Sequence, residues 1–218
     1  MSKEYQFFLD KYSKDGWFMF SRQITRSEWG NIEAAKSYLK KYWLSEAEYE
    51  DKWKNIQNSI FINQDKGLPE LVFSDLYKLI PLRGGCLFTE YDFSKLRACI
   101  QHTGDKNFVV VENTFGGKLD EPAFRMRFPI DINWQGLISG NFISSILTEM
   151  PNKEYFVFGD SGNWGKYSAN EYKHPLDIVG YKEEYEHIFK AGLWEPKDEK
   201  SEIFEWLPEI YKSESIKW

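Results

Sequence analysis

Apolar residues recur along the chain at two spacings. From Glu4 to Ser13, Tyr5, Phe8, Leu9 and Tyr12 fall at i, i+3, i+4 and i+7, one face of a helix. Asp15-Gly16 ends that face, and residues 17–24 read as a strand. Ser27 and Glu28 signal a helix start, followed by a stripe of Ile32, Ala35, Tyr38, Leu39 and Tyr42. Ser45-Glu-Ala-Glu48 is an S-x-x-E capping box that opens a helix through Tyr49, Trp53 and Ile56. Phe61-Ile62 fits a short strand or a buried turn, and Asn63 to Leu68 reads as a linker.

Beyond the linker the spacing alternates between short strands and helices. Pro69 can open a helix carrying Leu71, Val72, Leu76 and Leu79 toward Pro81. Gly84-Gly85 breaks the chain before Cys86-Leu-Phe88, which reads as a strand. Asp92 caps a helix through Leu96, Cys99 and Ile100 that stops at Gly104. Phe108-Val-Val-Val-Glu112 is the clearest strand, and Ala123 to Phe128 alternates as a half-exposed strand does. Residues 142–147 predict a helix ended by Pro151, residues 175–179 a strand, and Glu183 to Lys190 a short helix. The tail after Gly192 is acidic and punctuated by Trp194, Trp206 and Trp218, with an amphipathic helix suggested around Ile203, Leu207 and Ile210.

This order predicts an α+β fold, with a largely antiparallel sheet covered by helices on one side. Residues 1–67 form a mostly helical N-terminal portion, in the same domain or beside it. Residues 68–218 form an α+β domain with a C-terminal acidic helical tail.

The chain is organised around residues 155–170. Tyr155-Phe-Val-Phe158 is a buried strand, and Gly159, Gly162 and Gly165 turn the backbone with Asp160, Ser161 and Asn163. Trp164, Lys166 and Tyr167 resume an extended pattern, so the stretch predicts a hairpin with a Gly-rich tip. Its G-x-x-G-x-x-G spacing is not the G-x-G-x-x-G of a dinucleotide loop, and no helical stripe follows. Gly159-Asp-Ser-Gly162 imitates the surroundings of a protease serine, but His102 is the only upstream histidine and lies at a helix end.

Composition narrows the function. The chain has 218 residues, a net charge of −6, and 18% aromatic residues including 9 Trp. The charge disfavours direct nucleic-acid contact and favours basic partners. Lys40-Lys41 and Lys52 to Lys54 are balanced by neighbouring acids, as on a solvated helix surface. Cys86 and Cys99 make neither a disulfide framework nor a zinc motif. Met1 to Tyr5 lacks the apolar core of a signal peptide, and no apolar run can span a bilayer, so a cytoplasmic location is expected.

No constellation announces an active site. His102, His174 and His187 lack catalytic neighbours, and Asp160, Asp177 and Glu112 suit turns and strand ends. Arg125 and Arg127 share a strand face that fits either an acidic ligand or solvent. Cofactor and metal are both expected to be none.

Phe158-Gly-Asp-Ser-Gly-Asn-Trp-Gly-Lys-Tyr167 resembles the turn and strand of bacterial immunity proteins related to the SUKH superfamily. Leu68-Pro69 through Tyr77-Lys78 to Gly84-Gly85 resembles that group's opening helix, and the likeness covers roughly residues 68–181. The resemblance implies a non-catalytic protein that binds and occludes a cognate toxin. A basic nuclease toxin would suit the charge. Candidate partner contacts are Asp160, Trp164 and Tyr167 at the hairpin, and Glu202, Glu205 and Trp206 in the tail. The alternative is a hydrolase-like enzyme with its site near residues 159–177, using Asp160, His174 or Asp177.

Overall fold

The computed structural model describes residues 6–10, 31–66, 70–82, 86–113, 122–148, 154–171, 174–193, 205 and 207–218, and only the backbone of residues 142, 170, 171, 174 and 175. The strand expected at 17–24 lies outside these residues. Residues 6–10 are helical, within the helix expected there.

Six strands form one sheet: β1 (Tyr77–Pro81), β2 (Asn107–Glu112), β3 (Arg125–Pro129), β4 (Tyr155–Gly159), β5 (Trp164–Glu171) and β6 (His174–Lys182). Their order is β1-β6-β5-β4-β2-β3, and every neighbouring pair is antiparallel. The fold is α+β, as the sequence implies.

Cover comes from both faces, where the sequence reading placed helices on one. The reason lies in the strands. In β2, Phe108 and Val110 enter one hydrophobic cluster while Val109 and Val111 enter the other. In β4, Tyr155 and Val157 face one cluster, Phe156 and Phe158 the other. A continuous apolar run is the signature of a strand buried on both sides.

The first face carries α1 (Ile32–Tyr42), α3 (Glu90–Ile100), the short α4 (Trp134–Leu137), a 3₁₀ stretch (Asn141–Leu147) and α5 (Glu186–Leu193). Asn31, rather than Ser27, caps α1 by accepting a hydrogen bond from Ala34 N at 3.0 Å. Tyr38 and Tyr42 of α1 pack on Phe128 of β3, and the Tyr38 hydroxyl donates to Leu137 O at 2.5 Å. Thr89 caps α3 three residues before the expected Asp92, with which it forms a reciprocal pair.

The second face carries α2, which runs through Glu46–Glu48, a π-helical turn at Tyr49–Trp53 and Lys54–Ile60. Ser45 caps it as the S-x-x-E box predicts. Trp53 packs edge-on to Phe158, and Phe61 lies 4.7 Å from the ring of Phe156. Residues 31–66 therefore contribute to both hydrophobic clusters that enclose the sheet. Arg125 and Arg127 meet acids of the chain itself: Arg127 pairs with Glu48, and Arg125 lies over the Tyr49 ring, 3.9 Å from Glu46.

Two elements differ from expectation near β1. The helix predicted after Pro69 is replaced by bends and the strand Tyr77–Pro81, because Tyr77 and Leu79 face one cluster and Ile80 the other. A short apolar run at both parities does not separate helix from strand. Cys86-Leu-Phe88 is an irregular segment rather than a strand, although Leu87 and Phe88 are buried.

Both sheet edges are partly covered. On β1, Tyr77 N donates to Ser74 O, Leu79 N donates to Lys217 O, and Pro81 has no N–H. On β3, Trp43 forms a bridge with Met126, and Leu44 N donates to Arg125 O. Covered edges resist uncontrolled strand addition.

Lys78 of β1 reaches across to Glu186 of α5 at 2.5 Å, and Lys190 binds the same carboxylate at 2.8 Å. Hydrogen bonds from Lys190 and Lys78 hold Glu186 down at about 2, from an ordinary 4.5. A depressed carboxyl stabilises the fold fully above its unfolded value and loses that contribution as pH falls through its folded value. Wild-type protein should therefore lose more stability between pH 4.5 and about 2 than Glu186→Gln, as read by denaturant unfolding across that range. Equal losses would contradict the pairing.

Among the described residues, no helix is long and apolar enough to cross a membrane.

Candidate functional site

The Gly-rich hairpin joins β4 to β5 as expected, with Asp160 and Asn163 half-buried and Ser161 exposed. Gly159 leaves space for a buried carboxylate. A Cβ there would stand 2.3–2.4 Å from the carboxyl atoms of Asp105. Asp105 accepts hydrogen bonds from Ser161 N at 2.5 Å, from Trp164 Nε1 at 2.7 Å, and from the Thr103 hydroxyl. Burial pushes the Asp105 carboxyl above its ordinary value, even against the pull of these donors.

Asp160 works beside it. Its carboxylate accepts from Lys106 N at 2.9 Å and sits 3.5 Å from Lys52 of α2. Against partial desolvation, the bonds from Lys106 and Asn107 and the charge of Lys52 hold Asp160 below its ordinary value. Gly162 takes φ +65°, a left-handed conformation that favours glycine, and its carbonyl accepts from the Tyr77 hydroxyl at 2.6 Å. Asn163 donates to Thr103 O and to the Tyr185 hydroxyl. The motif that stands out in the sequence is thus a clamp that fixes the hairpin to β1, β2, α2 and the turn before β2.

The partner contacts expected at the hairpin divide accordingly. Trp164 and Tyr167 are fully buried, Trp164 in the first cluster and Tyr167 in the second, so neither can anchor a partner. The cause is the two-sided sheet: alternate residues of β5 point into opposite cores rather than into solvent. Asp160 is half-buried and engaged. In the tail, Glu205 is exposed, while Glu202 and Trp206 lie outside the described residues.

A second polar group was not legible as a site. On the first face, Lys166 of β5 is 1% exposed, the one buried lysine among the described residues. Its ammonium donates to Asp177 Oδ1 at 2.5 Å, to Leu87 O at 2.9 Å and to Ser168 Oγ at 3.0 Å. Ser168 faces Asp177 directly in the β5–β6 register and donates to the same Oδ1 at 2.7 Å. Phe88 lies over the ammonium, 5.4 Å from Nζ to ring centre. Burial raises the Asp177 carboxyl despite the attraction of Lys166. The available signal was parity. Lys166 and Ser168 share a strand face, and Asp177 falls on the Val179 face of β6.

Asp160 and Asp177 do not converge. The first sits in the turn before Trp164, and the second is opposite Ser168, so roughly 13 Å of strand separates the two positions. His102 and His187 are exposed, and the His174 side chain is not among those described. Among the described residues no three His, Cys, Asp or Glu side chains are grouped to hold a metal ion.

The outer surface of the second face has a different character. Leu76 is 68% exposed, and Ile62 and Ile210 are each 42% exposed. Hydrogen bonds lay their segments side by side: Ile62 N donates to Val72 O, Val72 N approaches the Tyr211 hydroxyl at 3.3 Å, and Lys217 Nζ donates to Asp75 O. Buried Leu207 and Tyr211 pin the last described segment to the core. The same segments carry exposed Asp65, Asp75, Glu205, Glu209 and Glu214, with Lys66, Lys212 and Lys217. An apolar centre with a charged rim is the composition of a binding surface.

Compared with family models, curated proteins and solved structures, the chain matches none of them.

Proposed function

We propose that the protein acts by stoichiometric binding, as an immunity-type protein that covers a basic cognate toxin. The observation that carries this reading is that Ile62, Leu76 and Ile210 are exposed on hydrogen-bonded neighbouring segments that also carry exposed acids, Glu205 among them. A basic nuclease supplies the complementary charge, because it needs a positive surface for its own substrate. Acidic residues around such a patch would steer the encounter, and the apolar centre would hold the complex.

The hairpin supports the same reading by a different route. Asp160 and Asp177, the acids from which a hydrolase near residues 159–177 would be built, are separately engaged in the fold. Both sheet edges are already partly covered, which favours recognition through side chains over strand addition.

The test is co-expression with the product of the adjacent gene, followed by pull-down and a growth-protection assay. The expected result is a complex that protects the cell and that Leu76→Arg and Ile210→Arg, both at exposed positions, weaken at least tenfold, about 1.4 kcal/mol, without loss of fold. Absence of both complex and protection would overturn the proposal. Unchanged binding by both variants would remove the patch as its site.

A further inference from the structure

We propose that Lys166 and Asp177 condense into an intramolecular isopeptide bond that ties β5 to β6. Three conditions for that reaction meet at this place. The two groups touch, water is excluded, and a third group stands ready to move a proton.

Contact comes from the register. Lys166 and Asp177 lie on one face of neighbouring antiparallel strands, offset by one pair, since Lys166 faces Val179 and Ser168 faces Asp177. Nζ stands 2.5 Å from Oδ1. The carboxyl carbon is one C–O bond further, about 1.2 Å, which bounds the Nζ–Cγ separation at about 3.7 Å. A near-attack separation is about 3–3.5 Å, within reach of a small side-chain adjustment.

Burial supplies the second condition. Lys166 is 1% exposed, Asp177 is 4% exposed, and Phe88 covers the ammonium. In water an ammonium and a carboxylate stay ionised and do not react. An apolar enclosure disfavours the charged pair and favours proton transfer from Nζ to the carboxylate along the existing hydrogen bond. The raised Asp177 carboxyl accords with that transfer.

Ser168 supplies the third. Its hydroxyl contacts both Nζ, at 3.0 Å, and Oδ1, at 2.7 Å. After the first transfer the pair is an amine and a carboxylic acid. The amine nitrogen attacks Cγ, an N–C bond forms, and the C–OH bond breaks. The departing hydroxyl takes one proton from the nitrogen through Ser168 and leaves as water. No oxidant, reductant or further reactant is needed. The product is an amide whose remaining N–H stays beside Leu87 O, the acceptor already placed for Nζ.

The experiment is intact-mass spectrometry of the folded full chain, with tryptic mapping. The expected result is a mass lower by one water than the sequence requires, and a branched peptide joining the segments that hold Lys166 and Asp177. Lys166→Met and Asp177→Ala should run at their full masses whether or not they fold. Ser168→Ala should slow the loss of water by about 100-fold, the usual contribution of a positioned proton carrier. Folded wild type at the full sequence mass, with only linear peptides, would overturn the proposal. Loss of water shared equally by wild type and Lys166→Met would also overturn it, because that water would come from elsewhere.

Discussion

Lys166→Met is expected to destabilise the protein by about 3–5 kcal/mol, the usual cost of stranding one member of a buried ion pair. Methionine fills much of the aliphatic volume, so packing is not the main loss. Asp177 is left buried with its hydrogen bond from Ser168 but without the ammonium, and Leu87 O loses that donor. Urea unfolding measures the effect through the midpoint at an unchanged slope. Lys166→Met/Asp177→Leu should recover much of it, because two apolar residues leave no uncompensated charge. A condensed pair would limit that recovery, since the double variant cannot restore the cross-link. A single variant as stable as wild type would contradict the burial and bonding of this pair.

Asp105→Ala is expected to cost about 2 kcal/mol or more, since it strips the acceptor from Ser161 N and Trp164 Nε1, while the Thr103 hydroxyl keeps Ile100 O. Each donor left unsatisfied in the interior costs about 1–3 kcal/mol, and relief of the carboxylate's own desolvation offsets part of the sum. The pH dependence gives an independent check. A carboxyl raised on folding binds its proton more tightly in the native state, so lowering the pH toward 3.8 stabilises the native form relative to the unfolded one. The gap between wild type and Asp105→Ala should therefore widen on acidification through that window. A constant gap would mean that Asp105 is not perturbed by burial. Gly159→Ala should injure the same clamp from the opposite side, because its Cβ would meet the Asp105 carboxylate at 2.3 Å.

The hairpin explains why some of this molecule was legible in the sequence and some was not. Tyr155-Phe-Val-Phe158 and the glycines after it specify a strand and a tight turn by local chemistry, and both are present. Whether Trp164 and Tyr167 face solvent is not local. It depends on α2 packing on one side of β5 and on the Leu87–Phe88 segment lying over Lys166 on the other. The same holds for Tyr77–Pro81, where propensity allows a helix and two-sided burial selects a strand. The cap at Ser45 was legible because the S-x-x-E box marks both of its ends. The α3 cap was misplaced at Asp92, where Thr89 competes for the same role. Of the candidate site, the acidic tail could be read from composition. The exposure of Ile62, Leu76 and Ile210 could not, because their segments meet only in the fold.

The binding constant between the purified protein and the purified product of its neighbouring gene, taken at two salt concentrations, is the decisive measurement. A tight one-to-one complex is expected, one that silences the toxin, weakens with salt, and is weakened at least tenfold by Leu76→Arg or Ile210→Arg. Failure to bind the partner, with the fold intact, would contradict the binding proposal.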